Sequence, residues 1–271
     1  MSFMLGLAQS GFPADGNVLG MVESYAAAAQ EAGVDLLVFP ENLMAPRPLD
    51  AAEHMRLAEP LDGPFCTAVR ACAKRHGLWM VFTMMEANPA DARPFNTAVA
   101  CDDTGAVRST YRKCHLYDAH TVKESDRMSA GDALGTPIVA PFGTFGMAIC
   151  YDLRFPEVAR SLALGGCDLI VFPSAWHDGP HKARHWQTLL AARAIENECF
   201  VAGVCHAGSR YVGLSTVYGP LGQTLAQGSA ATDREEAVAL VVAHINPTLI
   251  AAAREAMPIF EHRRPEAYRA C

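Results

Sequence analysis

Apolar runs of strand length recur along the chain at residues 5–9, 36–39, 78–85, 98–101, 145–150, 169–172, 200–205 and 238–245. Between several of them lie stretches with helical character. Residues 17–32 are Ala-rich, with Asn17 placed to cap the start and Gly33 to stop the end. Residues 64–76 stop at Gly77, residues 155–164 at Gly165-Gly166, and residues 186–198 form a further Ala/Leu-rich helix. Strands alternating with helices predict a layered α/β fold. No Gly/Ser-rich or Pro-rich linker interrupts the alternation, so the expectation is a single domain over residues 1–271.

One segment echoes another. Residues 32–40, Ala-Gly-Val-Asp-Leu-Leu-Val-Phe-Pro, resemble residues 165–173, Gly-Gly-Cys-Asp-Leu-Ile-Val-Phe-Pro. In both, a helix ends at Gly, an Asp opens a buried strand and Phe-Pro closes it. The two copies suggest a core with two related halves, although reuse of the same strand–turn chemistry would give the same pattern. Ligand sites in α/β sheets form at the carboxyl ends of strands. That places Glu41 after one copy, and Ser174, Ala175 and Trp176 after the other, as pocket candidates.

Composition narrows the possibilities. Of the 271 residues 51% are hydrophobic, enough for a large core. The net charge of −7 argues against a nucleic-acid partner. No apolar run is long enough for a transmembrane helix, and residues 1–9 lack the basic and long apolar regions of a signal peptide. The nine cysteines are odd in number, scattered and free of CxxC pairs. The expectation is a cytoplasmic protein with free thiols.

Three segments carry chemistry. In Phe39-Pro40-Glu41-Asn42, a carboxylate follows a buried strand directly. Partial burial would raise its pKa and make it a general base, whereas the plainer role is to cap the following turn. In the segment 111–118, strand alternation turns Lys113 away from Arg112 and Cys114. It either faces an oxyanion or stands exposed on an edge. In the segment 146–157, a buried strand ends at Cys150 and a turn leads to a helix opened by Pro156. A cysteine at such an elbow lies near backbone N–H groups and a positive helix end, which favour thiolate.

Together these segments resemble the carbon–nitrogen hydrolase (nitrilase) superfamily, whose Glu, Lys and Cys occur in that chain order. The matching positions are Glu41, Lys113 and Cys150, and the resemblance runs over residues 6–268. Glu124 matches the family's second pocket glutamate, and residues 185–197 match its long helix. Tyr151-Asp152 departs from the Trp-Glu of true nitrilases and is similar to the branch of ω-amidase and deaminated-glutathione amidase. The resemblance implies a four-layer α-β-β-α sandwich, a homodimer or higher homo-oligomer, and hydrolysis of a small carboxylate-bearing amide through a Cys150 thioester. It implies no cofactor or metal. Glu41 would be the base, Lys113 and the Tyr151 backbone N–H would hold the oxyanion, and Glu124 would position Lys113 or the substrate.

Substrate contacts are expected from Tyr151, Arg154, Trp176 and His177. Arg154 would either clamp a substrate carboxylate or form an ion pair with Asp152 or Glu157. His177 and Arg210 are further candidates for the acid. His177, His181 and His185 would share a face on a continuous helix, but Gly179-Pro180 interrupts it and the HExxH glutamate is missing, so no metal site is expected. The alternatives are an N-carbamoyl amidohydrolase, a nitrile hydrolase on the same triad, and a non-catalytic binding protein of this fold.

Overall fold

The structure is a computed structural model that describes residues 2–45, 49–119, 122–230 and 238–268. Two six-stranded sheets form its centre. The first contains β1 (Phe3–Gln9), β2 (Leu36–Val38), β3 (Trp79–Glu86), β4 (Phe95–Cys101), β5 (Val107–Arg112) and β14 (Ala239–Ile245), in the order β14-β1-β2-β3-β4-β5. The second contains β8 (Ile138–Ala140), β9 (Gly143–Met147), β10 (Leu169–Ser174), β11 (Phe200–Cys205), β12 (Thr216–Tyr218) and β13 (Thr224–Gln227), in the order β13-β12-β11-β10-β9-β8. A short ribbon of β6 (Asp118–Ala119) and β7 (Val122–Lys123) stands apart from both.

The side-chain period of two explains the layering. On β2, Leu36 and Val38 enter the core between the sheets, where they join Phe145, Met147, Leu169 and Val171 of the second sheet. Leu37 points the other way, and with Phe39, Met80 and Phe82 it packs under α1 (Val18–Glu31) and α3 (Pro64–His76). The second sheet is covered on its outer face by α4 (Pro156–Leu164) and α5 (Lys182–Asn197), which pack on β10 and β11. The contact between α5 and β11 is close enough that a Cβ at Gly203 would lie 2.6 Å from atoms of Trp186 and Leu190. The result is a four-layer α-β-β-α sandwich. The remaining helices are α2 (Ala51–Leu57), α6 (Thr248–Ala256) and α7 (Ile259–His262).

Local signals agree with several boundaries. The Asn17 side chain accepts a hydrogen bond from the Gly20 N–H at 2.9 Å, and Gly77 takes the left-handed conformation after α3. Other boundaries differ from expectation. The run 145–150 ends as a strand at Met147, and Cys150 opens a 3₁₀ turn, Cys150–Arg154, that precedes α4. α5 begins at Lys182 rather than at residue 186. β8, β12, β13, α2 and α6 were not expected from the pattern. The strands among these are three or four residues long, too short for a periodicity to register.

Candidate active site

The two echoing strands, β2 and β10, lie in different sheets, and the segments that follow them meet. Glu41, three residues past β2, is 3% exposed, and its Oε2 accepts a hydrogen bond from the Ala175 N–H at 2.9 Å, just past β10. Its Oε1 accepts from Asn96 Nδ2 and from Lys113 Nζ, each at 2.8 Å. The Glu41 carbonyl oxygen accepts from His206 Nε2 at 2.6 Å. That bond requires the proton on Nε2, and burial keeps the ring neutral.

Lys113 follows β5 and is 2% exposed. Its ammonium lies between two carboxylates, 2.8 Å from Glu41 and 2.9 Å from Glu124. The alternation predicted at this strand end holds: the neighbouring Arg112 points away and pairs with Glu86 at 2.6 Å. Glu124 opens the 3₁₀ turn Glu124–Asp126, and its Oε2 also accepts from the Tyr117 N–H at 2.6 Å.

Cys150 has φ +45°, in the left-handed region that a non-glycine residue avoids at a cost of about 1–3 kcal/mol. Its thiol lines the same cavity as Glu41 and Lys113 and is close enough to the Glu41 carboxylate to feel its charge. The same left-handed geometry occurs at Asn42, directly after Glu41.

The electrostatics reverse two expectations. Burial pushes the Glu41 carboxyl up, but the Lys113 charge and hydrogen bonds overcome it and hold the group below its ordinary value. Burial, and then the negative charge of Glu41, push the Cys150 thiol well above its ordinary value, so the resting thiol keeps its proton. Burial would also discharge Lys113, but Glu124 and Glu41 hold it charged, well above the ordinary value. At neutral pH the site therefore contains a carboxylate, an ammonium and a protonated thiol.

A cavity with about 640 Å³ of empty space, mouth included, opens over this cluster. Glu41, Lys113, Glu124, Cys150, Tyr151, Arg154, Trp176 and His177 all line it. The structure thus brings these eight residues together, whereas Ser174, the other pocket candidate after β10, does not line the cavity. Arg154 forms no ion pair with Asp152 or Glu157 among the described residues; its guanidinium lies 4.7 Å from the centre of the Trp176 ring. Arg210, the other arginine considered, does not line the cavity. Sequence reasoning missed Arg127, Lys182 and Tyr117 in the wall, and Asn96 and His206 behind Glu41. The one available signal was the polar pair Asn96-Thr97 inside a strand that is otherwise apolar.

His177 lies outside α5 and packs on the Tyr211 ring at 5.3 Å, so the three histidines share no helical face. Among the described residues, a group of candidate metal ligands occurs elsewhere, at Glu23, Cys72 and His76 on α1 and α3. There the Arg75 guanidinium already holds Glu23 at 2.5 Å.

A two-sheet sandwich with a buried Glu–Lys–Cys cluster at the strand ends defines a carbon–nitrogen hydrolase, and the sequence model described as "Carbon-nitrogen hydrolase" matches residues 5–255. The chain belongs to that family and is a hydrolase of carbon–nitrogen bonds other than peptide bonds. It is similar to a deaminated glutathione amidase of Escherichia coli O157:H7, with 35% identity over 241 residues, covering 89% of each chain. A deaminated glutathione amidase of Homo sapiens is 34% identical over 235 residues, 81% of this chain and 69% of that protein. The crystal structure of the C. elegans NitFhit protein superposes with a TM-score of 0.88 at 30% identity, covering 98% of this chain and 66% of that one. Among the described residues no helix is long and apolar enough to cross a membrane.

Proposed function

We propose that this hydrolase converts a small carboxylate-bearing amide into its acid and ammonia through a thioester on Cys150. The observation that carries the reading is the Cys150 thiol on the same cavity wall as a buried Glu41 carboxylate that Lys113 meets at 2.8 Å. Glu41 takes the thiol proton as sulfur attacks the amide carbon. The carbonyl π electrons move to oxygen, which Lys113 and the Tyr151 backbone N–H stabilise. The intermediate collapses, the C–N bond breaks, and Glu41 returns the proton to the leaving nitrogen, releasing ammonia. Glu41 next takes a proton from water, whose oxygen attacks the thioester. The C–S bond breaks, and the proton returns to sulfur. Glu124 keeps Lys113 charged and aimed. Each step is supplied by these side chains, so the chemistry calls for no metal or cofactor.

Three cations on the cavity wall support an anionic substrate. Arg127, Arg154 and Lys182 line the cavity, and none forms an ion pair among the described residues. The Lys182 ammonium donates to the Tyr117 hydroxyl at 3.1 Å. The relatives' names, deaminated glutathione amidase, agree with this chemistry. The protein would act in the cytoplasm as one domain over residues 1–271. Exposed Ile195 on α5, whose side chain lies against Gly222, would be covered in a homo-oligomer. Ammonia release from deaminated glutathione, 2-oxoglutaramate, a neutral aliphatic amide, an N-carbamoyl amino acid and a nitrile tests the reading. Preference for either acidic amide supports it; no turnover of any amide leaves the binding-protein alternative.

A further inference from the structure

We infer that Asp152 is a positioning residue that sets Lys113 and Cys150 in register with each other. The inference rests on the thioester reading, because it concerns the geometry that reading requires.

Asp152 is 1% exposed, and no cation of Lys or Arg neutralises it among the described salt bridges. Its carboxylate is instead filled by donors from two segments. Oδ2 accepts from the Ile149 N–H at 2.8 Å, in the residue directly before the left-handed Cys150. Oδ2 also accepts from the Tyr111 hydroxyl at 2.8 Å. Oδ1 lies 2.8 Å from His115 Nδ1 and accepts from the His115 backbone N–H at 3.3 Å.

Tyr111 and His115 flank Lys113 by two residues on each side. Both ends of that segment are held to one carboxylate, and the ammonium of the central residue reaches Glu41 and Glu124. The Tyr111 hydroxyl further accepts from the Cys114 N–H at 3.2 Å, and the His115 ring stacks on Phe155 at 3.7 Å. The ammonium segment is thereby fastened to the same 3₁₀ turn that carries the nucleophile. A buried carboxylate is costly to desolvate, and its donors here make it worth keeping only in this arrangement.

A positioning role predicts coupling to Lys113, which a general structural role does not. Asp152→Asn keeps the shape but turns one acceptor into a donor facing groups that donate. We expect kcat to fall about 10²-fold with KM changed less than about threefold, since an oxyanion donor is worth about that factor. In a Lys113→Ala background, where Lys113 has nothing left to lose, the same substitution should cost less than about fivefold, because mutations acting through one group are not additive. Tyr111→Phe, which removes a single hydroxyl, covers the case in which Asp152→Asn does not fold. It should lower kcat about 5–10-fold in wild type and hardly at all in Lys113→Ala, by the same non-additivity.

Equal fold-losses in both backgrounds, or more than half of wild-type kcat in a folded Asp152→Asn enzyme, would overturn the inference. So would an unaltered kcat in Tyr111→Phe where Asp152→Asn does not fold. Cys150→Ala, run alongside, separates the two levels. If it keeps turnover, the thioester reading fails; if it is inactive and Asp152→Asn is not impaired, only the positioning role fails.

Discussion

The Glu41 carboxylate and the Ala175 backbone N–H are 2.9 Å apart although 134 residues separate them in the chain. One follows β2 of the first sheet and the other β10 of the second, so the face-to-face packing of the two sheets creates the site. A base held by three donors, from Asn96, Lys113 and Ala175, has little freedom to leave the thiol it serves. Such preorganisation gives the following expectations a definite sign.

Cys150→Ala should abolish turnover and leave the fold intact. One equivalent of a thiol-alkylating reagent, traced by peptide mass spectrometry, should inactivate the enzyme at that residue. Burial raises the other buried thiols too, Cys199 among them, and among the described residues none of them lines the cavity. Wild-type turnover in Cys150→Ala would falsify the thioester mechanism.

Glu41→Gln should lower kcat by about 10²–10⁴, the usual worth of a general base. Lys113→Ala should lower it by about 10²–10³, the worth of an oxyanion donor. Stability responds differently in the two variants. Lys113→Ala leaves two carboxylates facing one another in a buried site, so its melting temperature should fall further than that of Glu41→Gln. Thermal melts with steady-state kinetics check both points. A variant keeping half of wild-type kcat would remove its residue from the mechanism.

The pH profile of kcat/KM should be flat from about 5 to about 8, because no group of the triad titrates in the ordinary histidine range. Glu41 is held below its ordinary 4.5, so the acidic limb belongs under that value. The same shift sets a stability term. Folded Glu41 binds fewer protons than unfolded Glu41, so its contribution is present above pH 4.5 and lost as pH falls through the lower folded value. Lys113 acts in the opposite sense. Its contribution is complete below its ordinary 10.5 and lost as pH rises through the higher folded value. A kinetic limb in the histidine range would point instead to a histidine, and at His177, which burial holds below the ordinary 6.5, it would fall under that value; such a limb would contradict the assignment of Glu41 as base.

Dialysis against a chelator should leave kcat and KM unchanged. Activity lost on chelation and restored by zinc would require a metal ligand set that the proposed chemistry does not use.

Arg154→Lys should raise KM for an acidic amide more than for a neutral amide of similar length. The planar guanidinium can meet a carboxylate through two parallel bonds while resting on Trp176, and an ammonium cannot. Equal losses on 2-oxoglutaramate, deaminated glutathione and the neutral amide would make Arg154 structural. A wild-type preference for the neutral amide would end the acidic-substrate reading while leaving the chemistry at Cys150 untouched.

The sequence by itself determined what depends on neighbours along the chain. The apolar runs that became β1, β3, β10 and β11, the Asn17 cap, the stop at Gly77, and the strand-end placement of Glu41 and Cys150 are local features, written within a few residues of each position. Resemblance to a family added the grouping of Glu41, Lys113, Glu124 and Cys150. Only the tertiary structure decided how these groups act on one another. The Glu41 carboxyl is held down rather than pushed up because Lys113, 72 residues away, lies 2.8 Å from it. The Cys150 thiol keeps its proton because it is buried and because that same carboxylate is close to it. Asn96 and His206 behind Glu41, and the Asp152 link between the Lys113 and Cys150 segments, exist through contacts between separate strands and turns. Charge interactions and hydrogen bonds depend on distance in space, and packing one sheet on the other sets that distance.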